Sequence, residues 1–217
     1  MITLHYYPSN ASFTPHVLLH ELGLPFQLQL VDRTQNAQKS AEYLKLNPNG
    51  LIPVLIDRDL VLYETAAICL HLVDTHPQAG LAPSVGTAER AEFYKWLMWL
   101  TNTMQSHLIH YFYPQRMVAV GNEAGAAEVQ AAAEAKVGQC LAQIDAHLAG
   151  HGQAWLLGED YSAADPFAFM LCRWTRGFKN SGPARDYPHI GPYLQRVMER
   201  PAVQRAIETE KLPKPVV

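Results

Sequence analysis

Hydrophobic and polar positions change rhythm along this chain. Residues 2–7 are β-branched and aromatic and read as a strand. A polar stretch over 8–12 leads into a helix with Ser12 or Thr14 as N-cap and Pro15 near its start, running to Gly23. Phe26, Leu28 and Leu30 alternate with Gln27 and Gln29, and that period of two predicts a half-buried strand. Residues 33–39 are polar and loop-like. Residues 40–46 predict a short helix, stopped by Asn47-Pro48-Asn49-Gly50. An apolar strand over 51–56, interrupted by Pro53, turns at 57–59 and returns over 60–63, and Glu64-Thr65 opens a helix to Asp74.

Strand signals vanish after a stretch over 77–86 that holds Pro77, Gly80, Pro83 and Gly86. Beyond it, 87–110 predicts one long helix with a Trp96, Leu97, Leu100 and Met104 face. Residues 123–148 are Ala-rich with helical spacing at Val129, Val137, Leu141, Ile144 and Leu148. Further helices are expected over 167–174, 190–199 and 202–211. The fold class is therefore α+β. An N-terminal domain over 1–78 has the order βαβ then ββα, a thioredoxin-like arrangement, and a linker at 79–86 joins it to an all-α helical bundle over 87–217.

Composition narrows the function classes. Of 217 residues, 48% are hydrophobic and 17% charged, enough apolar material for a packed core. A net charge of −3 without runs of like charge gives no footprint for nucleic acid or an anionic membrane. No apolar run approaches a membrane span, and the first residues lack a signal-peptide pattern. Cys69, Cys140 and Cys172 are odd in number and far apart, so neither a disulfide framework nor a zinc site is expected. A reducing, cytoplasmic setting fits.

Two segments carry a specific resemblance. Residues 47–55, with Ile52-Pro53 at their centre, followed by 62–68 with Glu64-Thr65, resemble the glutathione-binding signature of cytosolic glutathione transferases. Residues 161–165 resemble that family's capping motif in the helical domain, and Ser162 with Asp165 makes an S-x-x-D capping box. The pieces stand in the family's order over nearly the whole chain. The resemblance implies a cis Pro53 that turns the Ile52 backbone outward, to pair with the cysteinyl backbone of glutathione like an added strand. It also implies that Thr65, at a helix N-terminus, takes the γ-glutamyl carboxylate and that Glu64 takes the ammonium. Lys39 is the basic group expected for the glycine carboxylate. No metal is expected: His107 and His110 lie within one turn but lack a third ligand at convincing spacing.

Such proteins lower the thiol pKa of glutathione through a hydrogen bond to its sulfur, and the thiolate attacks an electrophile. The donor sits between the first strand and the first helix. Residues 8–16 most resemble the bacterial beta-type pattern, in which a cysteine stands where this chain has Ala11. Chemistry that depends on that cysteine does not carry over. Asn10, Ser12 and Ser9 remain as candidate donors, beside the backbone N–H groups; bacterial relatives resembling disulfide reductases use an asparagine-like donor near this place. Tyr6 and Tyr7 are weaker candidates because alternation turns one of them to the core. His107, His110 and Tyr111 are candidates for a pocket that accepts a small, apolar electrophile.

The function expected is glutathione conjugation in a homodimeric detoxification enzyme, with glutathione as co-substrate. One alternative is a glutathione-dependent disulfide or peroxide reductase that uses no protein cysteine. The other is a non-catalytic relative acting as a protein-binding module.

Overall fold

A computed structural model describes residues 1–217, which divide into two compact units, 1–84 with 198–214 and 85–197 with 215–217. The first unit is built on a four-stranded sheet. Strands β1 (Ile2–Tyr6), β2 (Phe26–Leu30), β3 (Val54–Asp57) and β4 (Leu60–Tyr63) lie in the order β2-β1-β3-β4. β1 and β2 are parallel, β3 runs antiparallel to β1, and β4 runs antiparallel to β3. Helices α1 (Phe13–Glu21), α2 (Ala41–Leu46) and α3 (Thr65–Thr75) follow β1, β2 and β4 respectively. This is the expected βαβ–ββα order. Leu4, Val54 and Leu55 of the sheet are fully buried, as are Val17, Leu18 and Leu19 of α1 and Ile68, Cys69 and Leu72 of α3. Helix and sheet thus share one core.

The strand expected over 51–56 begins only at Val54 and runs to Asp57; the Ile52–Pro53 peptide bond before it is cis, and residues 51–53 lie outside the ladder.

The helical unit holds α4 (Ala88–Trp99), α5 (Ser106–Phe112), α6 (Glu123–His151), α7 (Ala164–Trp174) and most of α8 (Ile190–Met198). The helix expected over 87–110 exists, but its middle, Leu100–Gln105, is wound as a π-helix between α4 and α5. Hydropathy period cannot register that local unwinding. Trp96, Leu97, Leu100 and Met104 form the expected buried face, and Val137, Leu141, Ile144 and Leu148 line the buried side of α6. Every residue of α7 from Ala164 to Arg173 is buried. No helix is long and apolar enough to cross a membrane.

The final helix, α9 (Pro201–Thr209), belongs to the sheet unit, where it packs along α1. The division expected at 87–217 differs here. Arg200 before α9 makes a two-pronged bond to Glu21 at the end of α1, with Nε–Oε1 at 2.6 Å and Nη2–Oε2 at 2.8 Å. Glu210 after α9 reaches His16 near the start of α1, so the two helices run antiparallel. A bidentate guanidinium–carboxylate pair fixes register as well as proximity.

Candidate functional site

The candidate residues of the sheet unit gather at one end of the sheet. His5, Val54 and Tyr63 form a row across β1, β3 and β4, and Tyr6 pairs with Leu30 on β2. The connections that leave this end are 7–12, 31–40, 47–53 and 64–65. They contain Ser9, Asn10, Ser12, Lys39, Ile52, Pro53, Glu64 and Thr65.

The turn before β3 is held from behind. Asn47 is buried; its Oδ1 accepts the Asn49 N–H at 3.0 Å and its Nδ2 donates to the Leu51 carbonyl at 2.9 Å. The Tyr43 hydroxyl donates to the same carbonyl at 2.8 Å. Leu51 is therefore fixed twice, while neither the N–H nor the C=O of the next residue, Ile52, takes part in a main-chain hydrogen bond of the turn or ladder. An unpaired main-chain pair beside a strand end is the geometry that accepts an added strand. The sequence singles out neither side chain: Asn47 reads as part of a helix stop and as the first residue of the signature-like segment, and Tyr43 as one residue of a short helix.

Lys39 lies on this turn. Its Nζ donates to the Asn49 carbonyl at 3.0 Å, and an ammonium has further donors to offer. Gly50 makes the approach possible. Its φ is +60°, and a Cβ there would stand 2.6 Å from Lys39 Nζ and 2.8 Å from the Gln38 carbonyl oxygen.

Glu64 stands exposed before α3 with φ 73° and ψ 116°, a backbone conformation rare for a residue with a side chain. It makes no side-chain cap bond, so the first turn of α3 offers its N–H groups and the positive end of the helix dipole beside Thr65.

The loop between β1 and α1 separates the three donor candidates. Asn10 is held at three points: its N–H bonds the Tyr7 carbonyl at 3.2 Å, its C=O accepts the Phe13 N–H at 3.0 Å, and its Oδ1 accepts the Ala11 N–H at 2.7 Å. The last bond fixes which end of the amide is oxygen and leaves Nδ2 with no partner. Ser12 is fully buried, donates to the Tyr7 carbonyl at 3.1 Å and accepts the Tyr7 N–H at 3.3 Å. Ser9 has φ 64°, and its N–H donates to Glu210 at 2.9 Å.

Behind this loop lies a buried polar cluster. Glu210 Oε1 meets His16 Nδ1 at 2.9 Å with both side chains fully buried. The rings of His16 and His20 lie 5.0 Å apart, both against Phe26. Burial and the neighbouring His16 push the His20 pKa down to about 4.

In the helical unit, His107, His110 and Tyr111 sit half-buried on α5. The two histidine rings are 6.5 Å apart, and Tyr111 packs on Phe178 at 4.3 Å. Burial, with His110 and Lys136 nearby, lowers the His107 pKa. The capping box is present: Asp165, fully buried, accepts the Ser162 N–H at 2.7 Å, the Leu156 N–H at 2.9 Å and the Tyr193 hydroxyl at 3.0 Å. Burial raises its pKa to about 6 against the pull of those donors.

A family model of the glutathione S-transferase N-terminal domain matches residues 8–75, and one of the C-terminal domain matches 101–201. The chain is 31% identical to glutathione S-transferase GstB of Escherichia coli K12, over 95% of this chain and 98% of that protein. The chain belongs to the glutathione S-transferase family. Glutathione S-transferase GST-4.5 of Xanthomonas campestris is 29% identical, over 94% of this chain and 97% of that protein. Among solved structures, a glutathione transferase homolog from sulfitobacter with bound glutathione superposes with a TM-score of 0.86 at 27% identity, covering 96% of this chain and 98% of that one. In this family member the N-terminal match contains every candidate residue at the sheet end, from Ser9 to Thr65.

Proposed function

We propose that the chain is a glutathione transferase that binds reduced glutathione across the end of its sheet, with Asn10 as the donor that stabilises the thiolate. The observation that carries this reading is the Asn10 amide, whose oxygen is pinned by Ala11 and whose Nδ2 has no partner. A fixed donor of this kind favours the charged form of a sulfur placed before it. Ser12 spends its hydroxyl on Tyr7 inside the core, which supports Asn10 over it.

The rest of the tripeptide follows from the surrounding groups. Ile52 pairs with the cysteinyl backbone, supported by its unpaired N–H and C=O. Thr65 and the first N–H groups of α3 take the γ-glutamyl carboxylate, Glu64 takes the ammonium, and Lys39 takes the glycine carboxylate. Pro53 shapes the turn that presents Ile52. The thiolate then attacks a small electrophile. In a substitution, a C–S bond forms as the leaving group departs with its electron pair; in an addition to an unsaturated carbonyl, solvent returns the proton to carbon. His107, His110 and Tyr111 are assigned to the electrophile, supported by their mixed polar and aromatic character. Homodimer formation and a cytoplasmic setting complete the reading. Three free, buried cysteines fit that setting, and burial pushes the Cys172 thiol up to about 12. The transferase names of the relatives and the bound glutathione of the structural neighbour support conjugation over a reductase or a protein-binding module.

Thiolate absorbance titration of bound glutathione tests the donor. Losing a hydrogen bond to a charged group costs about 1.5–3 kcal/mol, so Asn10→Ala should raise the bound thiol's pKa by about 1–2 units. Ser12→Ala should not move it beyond what loop disorder produces. The reverse ranking would assign the donor to Ser12.

A further inference from the structure

Glu210 ties the backbone of the donor loop to a distant part of the chain. It lies 201 positions from Ser9, outside both spans that match the family models, and it is buried. A buried carboxylate is costly unless its oxygens are paired. Here Oε2 accepts the Ser9 N–H at 2.9 Å and Oε1 accepts from His16 Nδ1 at 2.9 Å. Since a carboxylate only accepts, His16 carries its proton on Nδ1.

Both contacts bear on the orientation of Asn10. Ser9, the residue immediately before it, sits at φ 64°, which a side-chain-bearing residue holds only when its surroundings over-determine it. The charge-assisted bond to Glu210 contributes to that constraint. His16 lies in the first turns of α1, the helix whose opening N–H, that of Phe13, holds the Asn10 carbonyl. The carboxylate therefore grips the loop on one side of Asn10 and the helix on the other. Arg200 at the opposite end of α9 grips Glu21, so the helix bearing Glu210 is itself registered on α1.

We propose that Glu210 is a positioning residue for thiolate formation, holding Ser9 and His16 so that the Asn10 amide points at the glutathione sulfur. The proposal rests on Asn10 being the donor. It gives the last helix a part in the chemistry without contact with the substrate: glutathione is gripped by Lys39, Ile52, Glu64 and Thr65, and its thiol is tuned from behind by the far end of the chain.

The test compares Glu210→Ala, Asn10→Ala and the double variant by three readings: the Kd for reduced glutathione, the pKa of its bound thiol, and kcat with an aryl halide. A misplaced donor costs rate more than binding. Glu210→Ala should therefore raise the thiol's pKa and lower kcat by about tenfold or more while Kd stays within about twofold. The double variant should lose no more than Asn10→Ala alone, because Glu210 acts through Asn10. Glu210→Gln keeps the length and one acceptor and should fall between wild type and alanine. A thiol pKa unchanged in Glu210→Ala beside a raised one in Asn10→Ala would overturn the positioning role alone. A silent Asn10→Ala would overturn the donor assignment and the route through it. Should the alanine variant not fold, amide exchange in the wild-type chain decides. A protected Ser9 N–H supports the anchor, and exchange at the rate of an open loop amide overturns it.

Discussion

Asn10 and Ser12 carry hydrogen-bond donors two positions apart, and burial gives them opposite uses. The Ser12 hydroxyl closes a pair of bonds with Tyr7 in the core, while the Asn10 amide keeps one end free. The same contrast separates Leu51 from Ile52: one carbonyl is held by two side chains and its neighbour's main chain by none. The residues proposed for binding are those the scaffold leaves with open donors or acceptors. Gly50 belongs to that scaffold. In Gly50→Ala the left-handed backbone alone costs about 1–2 kcal/mol, and the new Cβ displaces the Lys39 ammonium. Chemical denaturation should register the lost stability. Calorimetry should register weaker glutathione binding, and a variant bound as tightly as wild type would remove Lys39 from the site.

At the scale of elements, the capping box before α7 shows chemistry spent on folding. Asp165 gathers the Ser162 and Leu156 N–H groups and the Tyr193 hydroxyl at the head of a helix buried from Ala164 to Arg173. Asp165→Asn turns an acceptor against those donors and should cost about 1–3 kcal/mol for each bond left unmade, with glutathione binding by the folded fraction unchanged. The pH dependence has a defined sign. Burial raises the folded-state pKa from 3.8 to about 6, so between those values the folded chain binds more protons than the unfolded one. This group's contribution to stability is greatest at the acid end and falls as pH rises to about 6. The advantage of wild type over Asp165→Asn should narrow across that window in urea melts; an advantage that widens would contradict the assignment. The elements themselves were largely legible. The period of two over 26–30, the capping box and the stop at 47–50 each depend on contacts within a few residues, and strand, cap and turn appear where those patterns stand. The π-helical turn at Leu100–Gln105 was not legible, because an apolar face of helical spacing looks the same with one bond register or another.

At the scale of the whole molecule, legibility fails with distance in sequence. The connections proposed to hold glutathione are visible in the sequence as a motif, and the sheet brings them to one end because β1, β3 and β4 share the row His5, Val54 and Tyr63. Glu210 was not visible. Its partners are 201 and 194 positions away, and nothing in the residues around it marks a carboxylate that will be buried. For the same reason residues 198–214 read as the end of a helical domain, whereas they pack with the sheet unit. Every residue proposed to hold glutathione comes from the sheet unit. Glutathione recognition should then depend on the sheet end alone. The measurement that tests this most directly is calorimetric binding of reduced glutathione to the wild-type chain and to Glu64→Ala. Wild type should bind. Loss of a charge-assisted bond of about 1.5–3 kcal/mol should weaken Glu64→Ala by about one to two orders of magnitude. Equal affinity in the two proteins, or no binding by wild type, would contradict the reading of this sheet end as the glutathione site.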